Sequence, residues 1–186
     1  MDNFVRCKAC GYISPQGKIG DVCPACGVPA KMFEPYKHPV SIKRRRMLDL
    51  HTHPVAVHFP QAFGLTLLLI SVSVFFVPQN MQRDLTGAAR VLSFLLPFFV
   101  ILSIATGLFD GKLRFRKITT PFLKKKIALG LILFFISIAL FALALSGQMF
   151  VSAMHILFIA LSMAAVACGA LLGLIGGRIL DAKFPG

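Results

Sequence analysis

"CKACGYISPQGKIGDVCPACG", residues 7–27, sets two Cys-x-x-Cys pairs twelve residues apart. Two residues between cysteines let the chain turn back so that both sulfurs of a pair face one point. Two such turns complete a tetrahedral shell of four thiolates, here Cys7, Cys10, Cys23 and Cys26, and that shell suits zinc or iron. Gly11 and Gly27 directly follow the second cysteine of each pair. A residue without a Cβ takes positive φ there and leaves backbone amides free to face the sulfurs. Disulfide pairing is the other use of closely spaced cysteines, and it belongs to oxidising compartments. A head that ends near residue 36 is too small to be stable by core burial alone, so a metal is expected to hold it together.

Beyond the cysteines the chain changes character. It is 56% hydrophobic and 15% charged, with a mean hydropathy of +0.78, whereas a soluble domain carries roughly 25% charged residues. The apolar residues fall in four runs, 54–77, 85–109, 127–145 and 150–175. Each is long enough to cross a hydrocarbon core of about 30 Å. In lipid every backbone polar group must be paired within the segment, so the runs are expected to be helices. The predicted fold is a small metal-stabilised β head of zinc-ribbon type followed by an all-α four-helix transmembrane bundle. Its divisions are a metal domain at 1–36, a basic juxtamembrane linker at 37–53, the membrane domain at 54–177 and a tail at 178–186.

The net charge of +13 does not point to nucleic acid, because the basic residues flank the apolar runs. Segments 37–53, 110–126 and 176–186 hold fourteen Lys and Arg, while the opposite side has only Arg83 and Arg90. The positive-inside rule then puts both termini in the cytoplasm, with the basic segments against anionic lipid. No short apolar core of a secretory signal precedes the cysteines. A cytoplasmic head is a reduced head, which favours metal over disulfides.

Inside the spans the polar residues are few. "HTHPVAVHFP" at 51–60 places His53 and His58 at the cytoplasmic end of the first run, and "GLFDGK" puts Asp110 at the matching end of the second. Lys124 to Lys126 enter the third run on that side, with stems able to snorkel. Ionisable groups at membrane depth are functional candidates by default. His53, His58, Asp110 and, on the fourth run, His155 are therefore candidates for a ligand or quinone head-group site, with interfacial anchoring or one simple His–Asp pair as the alternative. His155 begins the fourth run from the opposite side, too far from His58 to share a haem iron, and a buried hydrogen bond to a neighbouring helix is its expected role. Pro97 is expected to kink the second helix. Gly169, Gly173 and Gly177 form a small-residue stripe that serves close packing within the bundle or with a second copy.

Two resemblances add to this reading. "RCKACGYISPQGKIGDVCPACGVPAKMFEPY" resembles the rubredoxin-type iron module at the end of rubrerythrins. The resemblance implies one iron held by Cys7, Cys10, Cys23 and Cys26, cycling between ferrous and ferric states, with Phe4, Tyr12 and Phe33 as a small aromatic core. "HPVAVHFPQAFGL" and "GLFDG" resemble a family of uncharacterised four-helix bacterial membrane proteins, a domain of unknown function. That resemblance implies the span count and a prokaryotic cytoplasmic membrane, but no activity. Where members have a histidine at the start of the third span, this chain has lysines.

The expected function is that of a multi-pass, membrane-bound one-electron carrier rather than a stand-alone enzyme. Its head would pass electrons between a cytoplasmic redox protein and a membrane partner such as a quinone. One alternative is a structural zinc ribbon serving as a docking head on an anchor, sensor or small transporter. The other is a haem b-binding membrane oxidoreductase.

Overall fold

The structure is a computed structural model that describes residues 4–37, 41–116 and 120–180. The chain divides into two compact units. One is built around the N-terminal sheet and the other is helical.

The head is a three-stranded antiparallel sheet in the order β2-β1-β3, from β1 (Phe4–Cys7), β2 (Ile13–Pro15) and β3 (Phe33–Tyr36). Val5 pairs with Ser14 on one side and Pro35 on the other. An isolated bridge, Val22 to Pro29, closes the second cysteine loop. The buried apolar side chains here are Val5 and three of the cysteines, Cys7, Cys10 and Cys23, with Phe33, Val28 and Ala9 packed against the cysteines. The expected aromatic trio is thus revised. Phe33 takes its place and Phe4 is half-buried, but Tyr12 is 38% exposed. Tyr12 serves the site through its backbone, accepting the Cys7 N–H at 2.8 Å.

The helical unit carries four helices long and apolar enough to cross a membrane. A short helix, α1 (Ile42–Asp49), lies within the basic stretch read as a linker. Then come α2 (Thr52–Ser73), α3 (Gln79–Phe115), α4 (Pro121–Leu145) and α5 (Ser152–Leu180). Large apolar side chains such as Phe76, Phe98, Phe135 and Leu174 stand on the outside, as a lipid-facing surface requires.

Two helices extend well past the apolar runs. The second was expected to stop before Asp110-Gly111, yet α3 continues to Phe115. Gly111 is no breaker here, because it is where Leu123 of α4 packs. A Cβ at 111 would lie 2.7 Å from Leu123 Cδ2. Asp110 and Arg114 pair at 2.8 Å along the same turn, and Arg116, at φ 56°, ends the helix in the left-handed region. At about 1.5 Å per residue the 37 residues of α3 reach well beyond a core of about 30 Å. In α4, Thr120 caps the N-terminus by accepting the Leu123 N–H, and Pro121 takes the first helical position. This is a start signal six residues before the expected boundary.

Prolines inside spans leave carbonyls without their usual donor, and the bundle answers one of them directly. Pro60 cannot donate to the Ala56 carbonyl, and Ser103 on α3 does so at 3.1 Å while also bonding the Phe99 carbonyl at 2.8 Å. The core around these crossings includes Leu67, Leu96, Leu140 and Phe158, all at 0% exposure. The small-residue stripe of α5 is used within the chain at two of its three glycines. Gln61 donates to the Gly169 carbonyl at 3.3 Å, and its side chain lies over Gly169 and Gly173.

Candidate metal centre

The two cysteine turns are one motif used twice. Cys7 N–H bonds the carbonyl five residues on, at Tyr12, and Cys23 N–H bonds that of Val28, both at 2.8 Å. Gly11 N–H returns to the Cys7 carbonyl at 2.9 Å and Gly27 N–H to that of Cys23 at 2.8 Å. Both glycines are left-handed, at φ 76° and 75°, and both have open space where a Cβ would be. Backbone conformation, not crowding, is therefore what calls for glycine.

These turns bring all four sulfurs within 4.8 Å of one another. Cys7 Sγ lies 3.8 Å from Cys26 Sγ, and Cys10 Sγ lies 3.8 Å from Cys23 Sγ. A tetrahedron with metal–sulfur bonds of about 2.3 Å has edges of about 3.8 Å. Disulfide sulfurs would be bonded at about 2.05 Å, and all four cysteines are free. The donor set and its spacing fit a four-thiolate metal ion.

The electrostatics of the metal-free thiols are uneven. For Cys23, burial is the largest influence and pushes the thiol up, but hydrogen bonds from the Cys26 and Ala25 amides and from the Cys26 and Cys10 side chains bring it down to about 7. For Cys26 the largest influence is the Val28 amide, which lowers it. Burial and the sulfurs of Cys10, Cys23 and Cys7 together push it up to about 12. The amides aimed at Cys23 and Cys26 belong to the second turn, where Gly27 takes positive φ. In a loaded site such bonds stabilise negative charge on sulfur.

Residues 6–34 match the family described as rubrerythrin, rubredoxin-like domain. The head is therefore a rubredoxin-like module bearing four cysteines positioned for a metal ion. It stands in a chain with four helices long and apolar enough to cross a membrane. Searches of curated proteins and of solved structures returned no match. The match covers the head, and the comparisons do not support the expected likeness of the helical segment to a four-helix family.

The candidate residues of the bundle separate into three places. His53 of α2 points at α3 and α4, with Nδ1 3.4 Å from Thr106 Oγ1 and Nε2 3.4 Å from Lys126 Nζ. The Thr106 hydroxyl gives its hydrogen to the Leu102 and Ser103 carbonyls, at 2.9 and 3.1 Å. Thr106 Oγ1 must then accept, which puts the His53 proton on Nδ1 and leaves Nε2 to accept from Lys126. Gly107 makes the ring's seat, since a Cβ there would lie 2.8 Å from His53 Cε1. Lys126 Nζ also lies 3.6 Å from where a Cβ of Gly176 would be, in the last turns of α5, the end that favours a cation. Asp110 bonds Arg114 rather than His53.

His58 does not join this group. Its Nδ1 bonds the Pro54 carbonyl at 2.5 Å and it sits on the exposed face of α2. His155 is 5% exposed, donates Nε2–H to the Ser71 carbonyl at 2.7 Å, and stacks on Phe75 at 4.5 Å. That is the helix-to-helix bond expected of it. Ser71 lies eighteen residues past His53 on α2, roughly 27 Å along the axis at 1.5 Å per residue. His53, His58 and His155 therefore cannot pair about one haem iron. The sequence reading took the three lysines at 124–126 together, and Thr106 and Gln61 not at all. Lys126 follows from helical phase, once the Thr120 cap fixes where α4 begins.

Proposed function

We propose that this chain is a membrane-bound one-electron carrier whose rubredoxin-like head holds iron. The observation that carries the reading is the four-sulfur tetrahedron with amides directed at Cys23 and Cys26, inside a segment matching the rubredoxin-like domain of rubrerythrins. Iron bound there exchanges one electron between its ferrous and ferric states. The protein's part is to hold four thiolates in one fixed shell, so that little rearrangement accompanies the change of charge. Cys26 is the exposed ligand and is the natural point of exchange with a soluble partner.

A cytoplasmic redox protein serves one side of the transfer in this reading, and a partner in the membrane, such as a quinone, serves the other. Tethering on one chain gives that partner a high effective concentration. The basic segments hold the cytoplasmic face against anionic lipid. Within the bundle the reading falls on His53 and Lys126, where a donor and an acceptor from two helices meet beside Thr106. The Lys126 ammonium can donate to a quinone carbonyl oxygen, and His53 Nε2 can accept from the hydroxyl of the reduced quinol.

The test is metal analysis and visible absorption of the purified full-length protein, before and after dithionite. One iron per chain, coloured when oxidised and bleached when reduced, is expected. One zinc and no colour would sink the carrier reading and make the head a structural docking module. For the membrane side, His53→Gln is expected to keep the metal and slow reoxidation by a quinone in vesicles. Unchanged reoxidation would remove His53 from the path.

A further inference from the structure

We infer that the bundle binds a single internal water at the Pro97 turn, held by Ser93 of α3 and Ser162 of α5. Both serines are at 0% exposure, and neither hydroxyl has a hydrogen-bond partner. They differ in this from Ser71, Ser103 and Ser137, whose hydroxyls bond carbonyls of their own helices at 2.8, 2.8 and 2.6 Å. An unbonded hydroxyl in a core of leucine and phenylalanine, inside a membrane span, is costly.

The helix contacts put Ser93 and Ser162 at one depth along the bundle. Antiparallel contacts between α2 and α3, Ala56 with Ser103 and Phe63 with Phe99, carry Ser93 to the turn around Leu67. Contacts between α2 and α5, Gly64 with Ala165 and Ser71 with His155, carry Ser162 to that same turn. Pro97 adds a third group, because it stands four residues after Ser93 and has no N–H to give the Ser93 carbonyl. In α2 the equivalent carbonyl, Ala56, is met directly by Ser103. At Pro97 no side-chain donor among the described residues plays that part. A water accepting from both hydroxyls and donating to the Ser93 carbonyl completes all three. About three hydrogen bonds is the usual complement of a buried water.

The experiment is infrared spectroscopy of the full-length protein in lipid, comparing H2-16O with H2-18O. The wild type is expected to show a narrow O–H stretch that shifts with the oxygen isotope, and Ser93→Ala/Ser162→Ala is expected to lose it. No isotope-sensitive band that depends on these serines would overturn the proposal. Thermal unfolding of the two single variants and the double gives a second reading that needs no spectral assignment. Each single is expected to lower Tm, and the double to lower it no further than the larger single, since one water is lost only once. Raised or additive Tm values would overturn it. Should the double variant fail to insert, Ser162→Ala alone carries the infrared test: loss of the isotope-sensitive band is expected, and an unchanged band would overturn the proposal.

Discussion

Replacing Cys10 by serine should unfold the head while leaving the helices intact, and the structure says how lopsided the effect will be. Apart from cysteine ligands, the only hydrophobic side chain buried in the head among the described residues is Val5. Burying a valine contributes about 1.5–3 kcal/mol. A structural four-ligand metal site contributes about 10–16 kcal/mol. The metal outweighs the apolar core several-fold, so a head that cannot hold it has nothing comparable to fall back on. The chain makes the assay simple. It contains two tyrosines, Tyr12 and Tyr36, and no tryptophan, so the near-ultraviolet tyrosine circular dichroism reports the head alone. Far-ultraviolet dichroism is dominated by the helices. Cys10→Ser should lose bound metal, the tyrosine signal and resistance to trypsin at Arg6, Lys8, Lys18 and Lys31, with helix content unchanged. Stripping the wild type with a chelator should do the same. A metal-free head that keeps its tyrosine signal and its protease resistance would show that the sheet holds itself, and the reasoning would fail.

Gly107→Ala should push the His53 ring out of its seat, because the new Cβ would approach Cε1 to 2.8 Å and Nδ1 to 3.2 Å. Overpacking of this kind costs about 1–3 kcal/mol, and the His53–Lys126 contact should be lost. Thermal unfolding in detergent and the histidine 15N shifts check it, and unchanged values for both would mean that the ring has room to spare. Metal affinity of the head should rise with pH through neutrality. The Cys26 thiol, held up to about 12 in the metal-free head, keeps its proton until metal displaces it, whereas Cys23, near 7, releases its own across neutrality. Loading therefore releases protons, which acid opposes. Chelator competition between pH 6 and pH 8 measures this, and an affinity that is flat or falls with pH would contradict the thiol assignments.

How much of this was legible in the sequence depends on how local the information is. The metal centre was legible because its ligands, turn glycines and amides all fall within twenty-two residues of chain, Cys7 to Val28. Spacing alone brings them together. The four long apolar helices were legible for the same reason, as runs. Their ends were not, since Gly111 looks like a breaker until Leu123 is seen packed on it, and the lysines before residue 127 hid a cap at Thr120. Pairing between helices was legible only as depth. Antiparallel order put His53, Asp110 and the lysines at one end, but rotation about each helix axis decides contact. Five residues separate His53 from His58, enough to turn one inward and the other out, and Asp110 meets Arg114 one turn along its own helix.

A histidine on a helix apolar enough to cross a membrane invites a functional reading, and the three here show what decides whether it survives. His155 has Nε2–H committed to the Ser71 carbonyl and its ring set between Phe75 and Phe150. It is a joint between α2 and α5. His58 bonds the Pro54 carbonyl of its own helix from an exposed face, so it ties together nothing beyond α2. His53 alone of the three hydrogen-bonds another titratable side chain, with a lone pair turned to an ammonium from a different helix. A second proton on His53 would take that lone pair and set two cations face to face, so the protonation of one group governs the contact between α2 and α4. A residue whose proton is tied to a helix contact in this way can sense a change of charge nearby. That is why the membrane side of the proposed electron transfer belongs at His53 and Lys126 rather than at the other two histidines.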